Sequence, residues 1–207
     1  MGAVIGAAVA GYVLLYVSAL RKPCLTWGAS PDDADRVMPG DELLPEPDLL
    51  ATRAVSIDAP PSAIWPWLMQ MGSGRGGVYT YDWIENLFGL HMHSADEILP
   101  QYQDRKVGDV EQLGSNGPRL RAEVLDAERA MVLRSEDGNW VWAFGLYPSA
   151  DGSTTLVSRN RISAAEGSLL TRVFNVLVME PGSLVMERKM LLGIKQRAEA
   201  LAAKSPA

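Results

Sequence analysis

From Val107 to Ile162 apolar and polar residues alternate, broken at short intervals by Gly114-Ser-Asn-Gly-Pro118, Glu136-Asp-Gly138 and Ser149-Ala-Asp-Gly152. A period of two sends successive side chains to opposite faces of a strand, and Gly, Asn, Asp and Pro supply the turns. The pattern predicts strands at about 107–113, 119–126, 129–135, 139–148 and 153–162. On the fourth, Trp140, Trp142, Phe144 and Leu146 share one face, while Val141, Ala143, Gly145 and Tyr147 share the other. Such a chain folds as an antiparallel meander, whose apolar face must be covered by another element.

The cover comes from the C-terminus. A helix is expected over about 167–178, an interruption at Glu180-Pro181-Gly182, then a long helix over about 183–203. At 100° per residue Leu184, Met190, Leu191, Ile194, Ala198 and Leu201 form one apolar arc, with Glu187 near its middle. Upstream, Thr52 to Asp58 alternates as a further strand, and Pro60-Pro61-Ser62 opens a helix through Ile64, Trp65, Trp67, Leu68 and Met71 with Pro66 in its first turns. A short helix from about Tyr81 to Leu87 closes at Gly89. The expected fold class is α+β: a curved antiparallel sheet of about six strands gripping a long C-terminal helix.

Between these two helices lies Met71-Gly-Ser-Gly-Arg-Gly-Gly-Val-Tyr-Thr-Tyr-Asp-Trp-Ile-Glu-Asn86. Gly72, Gly74 and Gly77 match G-x-G-x-x-G, but a dinucleotide site needs a strand before that motif and a helix N-terminus after it. Here a helix precedes it, so no nucleotide or other cofactor is expected. Two roles fit Arg75: a cation at a cavity mouth, or a partner of Asp82 or Glu85 in a tight turn. Tyr79, Tyr81, Asp82, Trp83, Glu85 and Asn86 are the aromatic and polar types that line small-molecule pockets. Asp82, Glu85 and Asn86 share one helix face, with Trp83 and Leu87 on another, and core packing explains Trp83 equally well.

His91-Met-His93, with Asp96, suggests a metal only weakly, because the spacing is loose and no H-E-x-x-H is present. The expectation is no metal, with His93 at a pocket rim. Trp140 and Trp142 serve either as core or as a ligand wall. A carboxylate at Glu187 must be paired or protonated where it faces the core. Arg134, Arg159 or Arg161 is the expected partner, and the alternative role is a polar anchor or acid in a cavity.

Residues 3–20 carry no charge, and Arg21 and Lys22 follow. A helix of that length reaches about 27 Å, just short of a hydrocarbon core of about 30 Å. The expectation is an anchor over 1–22, with the following domain cytoplasmic by the positive-inside rule. Val17-Ser18-Ala19 leaves a cleaved signal peptide as a rival, and a soluble helix as another. Residues 23–50 mix Pro with Asp and Glu and are expected to form a tether, with Ser30 and Pro31 opening a short helix and Trp27 and Leu43-Leu44 able to dock on the domain proper, 51–203. The net charge of -6 and pI near 5.0 exclude the basic patch that nucleic acid requires. The lone Cys24 cannot close a disulfide within the chain.

Pro39-Gly-Asp-Glu-Leu-Leu-Pro45, Ile57-Asp-Ala-Pro-Pro61 with Ile64-Trp-Pro-Trp-Leu68, Gly74-Arg-Gly-Gly-Val-Tyr79, Tyr81-Asp-Trp-Ile-Glu-Asn86, His93-Ser-Ala-Asp96 and Met186-Glu-Arg-Lys-Met-Leu191 together resemble a bacterial, membrane-tethered group of the SRPBCC helix-grip superfamily. That superfamily includes START-type lipid-transfer domains and polyketide cyclases. The resemblance covers about residues 51–203 and implies a cavity between sheet and terminal helix for an apolar or amphipathic small molecule, lipid or polyketide-like. It implies no particular reaction. A cyclase or dehydratase using Glu187, His93 or Asp82 is one alternative. An interaction module with its cavity filled by its own side chains is another.

Overall fold

A computed structural model describes residues 11–87, 89–115, 117–163 and 168–204. Six strands form one antiparallel sheet in the order β1-β6-β5-β4-β3-β2. They are β1 (Leu49–Ile57), β2 (Val110–Gln112), β3 (Arg119–Asp126), β4 (Ala130–Ser135), β5 (Trp140–Pro148) and β6 (Thr154–Ile162). β2 to β6 are the expected meander, and β1 adds beside β6 in unbroken register from Leu49↔Ile162 to Ile57↔Thr154. The turn between β4 and β5 closes as its residues dictate. Asp137 accepts from the Ser135 hydroxyl and the Asn139 amide, and Gly138 takes φ +77°.

On the inner face Ile57, Met131, Leu133, Trp142, Phe144, Leu146 and Leu156 pack against Ile64, Trp67 and Leu68 of α3 (Pro61–Met69) and Met190, Leu191, Ile194 and Ala198 of α6 (Glu180–Lys204). The alternation of β5 is therefore read in full: Trp142 and Phe144 point to the helix, and Val141 and Ala143 to the other side. Six strands with the long C-terminal helix laid against them make the helix-grip architecture.

The outer face is covered too, which the composition of residues 23–50 does not suggest. Met38 is buried among Ala54, Val132, Val141, Ala143 and Val157, with Leu43 and Leu44 packed alongside. Two arginines hold this segment down. Arg159 Nη1 donates to Asp41 Oδ2 at 2.7 Å and Nη2 to the carbonyls of Asp33 and Ala34, while Arg161 Nη1 donates to Asp41 Oδ1 at 3.1 Å. Gly40 has φ +91°, and a Cβ there would sit 2.6 Å from Val132 Cγ1, so Pro39-Gly-Asp41 is shaped to the sheet. α2 (Pro31–Asp35) starts as expected, with Ser30 and Asp33 forming a capping box.

Residues 11–15 are helical and continue through a π-helical turn, Tyr16–Leu20, into α1 (Arg21–Leu25). The first residues of the expected anchor, 3–10, lie outside the described residues. At the other end α5 (Leu169–Phe174) runs through a π-helical turn, Asn175–Met179, straight into α6. Glu180-Pro181-Gly182 therefore does not interrupt the helix. The Glu180 amide bonds to the Asn175 carbonyl, and this wider turn just before Pro181 accommodates its ring and its missing N–H. Among the described residues, the one helix long and apolar enough to cross a membrane is this C-terminal one, Leu169–Lys204, with a window of mean hydropathy 1.3 that is 6% buried.

Replacing Asp41 by Ala leaves Arg159 buried without its counter-charge, which costs about 3 kcal/mol. A denaturant titration in detergent micelles will register that loss, while Asp35→Ala, exposed on the same segment, stays within about 0.5 kcal/mol of the wild type.

Candidate functional site

Between the inner face of the sheet and α6 lies a cavity of about 840 Å³, within the range of small-molecule sites. One wall is aromatic. Trp140 and Trp142 stack with centroids 5.4 Å apart, and Trp142 leans on Phe144 at 4.9 Å. Leu49, Ala51 and Ile162 extend the sheet side, and Met186 and Met190 face it from α6.

A polar cluster sits in that wall. Arg53 of β1 is ion-paired through Nη1 to Glu187 Oε2, and its Nη2 donates to Ser183 Oγ at 3.0 Å. Glu187 Oε1 accepts from Ser158 Oγ at 2.6 Å and Asn160 Nδ2 at 3.0 Å. The tryptophans are tied to the same cluster: Trp142 Nε1 donates to Ser158 Oγ and Trp140 Nε1 to Asn160 Oδ1. Burial pushes the Glu187 carboxyl up, opposed by the Arg53 charge and by the donors of Ser158, Arg53 and Asn160. Glu187 thus faces the core as its helix position indicates, but its partner is not Arg134, Arg159 or Arg161. Arg159 and Arg161 alternate with Ser158 and Asn160 along β6 and so reach the outer face, where Asp41 holds them. Arg53 stands opposite Ser158 in the ladder and shares its face.

The glycine-rich segment contributes Val78, Thr80 and Glu85 to the cavity. Gly72 and Gly77 close a loop by exchanging main-chain hydrogen bonds. Arg75 points away from the cavity: it donates to the carbonyls of Met69 and Tyr102, lies over the Tyr102 ring, and pairs with Glu111 rather than Asp82 or Glu85. Tyr79, at φ 61° and buried, donates to the Trp67 carbonyl at 2.9 Å. A Cβ on Gly193 of α6 would lie 2.7 Å from the Tyr79 carbonyl, so this glycine lets helix and loop touch.

Further along the segment, Tyr81 has Lys189 above its ring, Asp82 accepts from the Ser94 amide and hydroxyl, and Asn86 makes both of its bonds with the Met92 main chain. Trp83 is 70% exposed. His93 is exposed and His91 bonds to Ser115. None of these side chains lines the cavity. Of the residues expected to do so, Trp140, Trp142, Glu187 and Glu85 of α4 (Asp82–Leu87) are the ones it brings together, joined by Val78 and Thr80 from the loop.

Of the segment's polar candidates, Glu85 is the one that turns inward. It is 5% exposed, lines the cavity, and its Oε2 has no hydrogen-bond partner among the described residues. Burial pushes its carboxyl up, with the nearby Thr80 hydroxyl opposing and the Asp82 charge adding. Its helix spacing from Asp82 and Asn86 was the available signal, but spacing alone does not say which of the three turns inward.

Fold and cavity together define the class by architecture: this chain has a helix-grip fold, a six-stranded antiparallel sheet laid against a long C-terminal helix. By sequence, no family model and no curated protein matches it. By structure it is similar to KanY, at 15% identity and TM-score 0.49, with 73% of this chain and 97% of that one covered. It is also similar to TTHA0849 from Thermus thermophilus, at 16% identity and TM-score 0.44, covering 76% and 100%. A third is the Polyketide_cyc-like protein Cgl2372 from Corynebacterium glutamicum, at 15% identity and TM-score 0.36, covering 77% and 91%. Likenesses of this degree carry no argument about ligand or reaction.

Glu187→Gln strands Arg53 in the core and lowers the unfolding free energy by about 3 kcal/mol, and adding Arg53→Met recovers much of that loss, as a double-mutant cycle will show. Glu85 acts on the pH dependence instead. A carboxyl raised in the native state binds its proton more tightly there, so it favours the fold at acidic pH. That contribution is lost as pH rises through the unfolded value of about 4.3 and then the higher native one. Glu85→Gln removes this segment of the stability–pH curve, and the variant gains on the wild type above, not below, that range.

Proposed function

We propose that the protein binds one amphipathic small molecule, of lipid or polyketide-like chemistry, in the cavity under α6, at the membrane. The observation that carries this is the pairing of an apolar, tryptophan-walled space of about 840 Å³ with an Arg53–Glu187–Asn160 cluster at its side. Apolar surface supplies the affinity for a chain or ring system, and a few fixed polar groups orient its polar end. Binding needs no covalent chemistry, and Arg53, Glu187, Ser158 and Asn160 are already paired with one another.

Native mass spectrometry of the full chain released from detergent tests this. The expected result is a stoichiometric small-molecule adduct that disappears in Met186→Trp, where an indole occupies the cavity, with the fold intact by circular dichroism. An adduct unchanged by Met186→Trp, or none under any extraction condition, overturns the proposal.

One observation favours an enzymatic second reading. Glu85 is a buried, unpaired carboxyl facing the same space, which suits a general acid of the cyclase or dehydratase type. Turnover of a bound ligand that is abolished in Glu85→Gln but not in Arg75→Gln will support it. An adduct recovered chemically unaltered from wild type and variant alike counts against it.

A further inference from the structure

The C-terminal helix carries an apolar surface that the domain does not use. Leu170, Phe174 and Val178 are exposed at 78%, 51% and 50%. Leu169 and Val173 are exposed as well, at 79% and 43%, and from the same stretch Arg172, Asn175, Val176 and Met179 line the cavity. One short helical stretch therefore separates the cavity from whatever lies outside it.

The neighbouring helix shows what lies outside. Four residues of the N-terminal helix converge on the stretch Leu177–Glu180: Tyr12 donates to the Leu177 carbonyl, Tyr16 and Arg21 to the Glu180 carboxylate, and the Cys24 thiol to the Glu180 carbonyl. Tyr12 to Cys24 spans about 18 Å of helix and Leu177 to Glu180 about 5 Å, so the two helices cross obliquely. At the crossing both change character. Leu14, Leu15, Val17 and Leu20 are exposed before Arg21 and Lys22, and the exposed apolar run on the other helix ends at Met179 before Glu180. Two helices distant in sequence turning from apolar to charged at one level is the arrangement a planar lipid–water boundary demands.

The composition fixes the depth. Glu166 stands just before Leu169 in the sequence, and Arg172 lies within the helix, so this stretch does not suit a hydrocarbon midplane. Beyond Met179 the same helix is a core element of the domain. A helix that carries Arg172 and Asn175 toward the cavity and exposes Leu170, Phe174 and Val178, crossing the N-terminal helix at an angle, belongs in the interface with its apolar side about 5–10 Å deep.

We infer that Leu169–Met179 is an interfacial helix that lays Leu170, Phe174 and Val178 among the acyl chains of one leaflet, while its other side walls the mouth of the cavity. The partner is the lipid bilayer itself. The inference deepens the binding proposal and rests on it only for what enters the mouth: a ligand that partitions into the bilayer reaches the cavity past this helix without crossing water.

The test uses the full chain in vesicles of phosphatidylcholine and phosphatidylglycerol, in a Cys24→Ala background, with an environment-sensitive fluorophore on Leu170→Cys, Phe174→Cys or, as a control at the β5–β6 turn, Asp151→Cys. The expected result is blue-shifted emission at 170 and 174, severalfold stronger quenching by brominated lipid than at 151, and protection from aqueous iodide. Iodide quenching at 170 and 174 equal to that at 151 overturns the inference. So does protection from both quenchers, which means a protein surface covers the face. In parallel, Leu170→Asp with Phe174→Asp is expected to slow uptake of a pyrene-labelled fatty acid from vesicles severalfold while leaving its binding in detergent unchanged. Lipid quenching without any fatty-acid uptake sinks the ligand proposal for this probe and leaves the interfacial helix standing.

Discussion

The ion pair between Arg53 and Glu187 organises the molecule. It ties together the first strand, the last strand and the long helix, because Arg53 sits on β1, its ladder partner Ser158 on β6, and Glu187 on α6. Burying both charges is costly, and only a cluster that satisfies nearly every donor and acceptor makes it tolerable. Here the satisfaction is thorough. Ser183, Ser158, Asn160, two indole N–H groups and the Cys24 carbonyl all take part. The angle of α6, the tilt of the tryptophan wall and the seat of the N-terminal helix therefore follow from one arrangement of charges.

The strands were legible because alternation and turn residues are local properties. β3 begins and ends at the expected Arg119 and Asp126. Glu187 was legible for a similar reason, since helix periodicity places a residue on an arc without knowledge of the rest of the fold. Its partner was not, because choosing among arginines requires knowing which face of which strand each occupies, and β1 pairs with β6 across a hundred residues. The Gly72–Asn86 segment failed differently. Glycines announce a loop of unusual backbone geometry, but not its direction, and the side chains that looked exposed to a ligand, Arg75, Tyr79, Asp82 and Asn86, are absorbed in holding the loop's own shape. Pro181 marked a helix end only under the assumption of uniform α geometry, which the π turn before it removes.

Residues 23–50 show the limit of composition. Rich in Pro and acid, they have the character of a linker, yet a single carboxylate, Asp41, answers two arginines on the outer face and folds the segment onto the sheet. The sheet is consequently sandwiched: apolar packing and a cavity on one side, an ionic clasp on the other. Two of the carboxyls that line the cavity are set apart by the same logic. Glu187 is paired with Arg53, whereas Glu85 Oε2 has no hydrogen-bond partner among the described residues.

The Cys24 carbonyl accepts from Arg53, the Cys24 thiol reaches Glu180, and Trp27 bonds through its carbonyl to the Ala54 amide. Between the end of the apolar helix and the first strand the chain thus has no slack. The N-terminal helix is thus bonded at once to β1 and to α6, the two elements that clamp the cavity, so a shift of that helix is felt on both walls of the pocket.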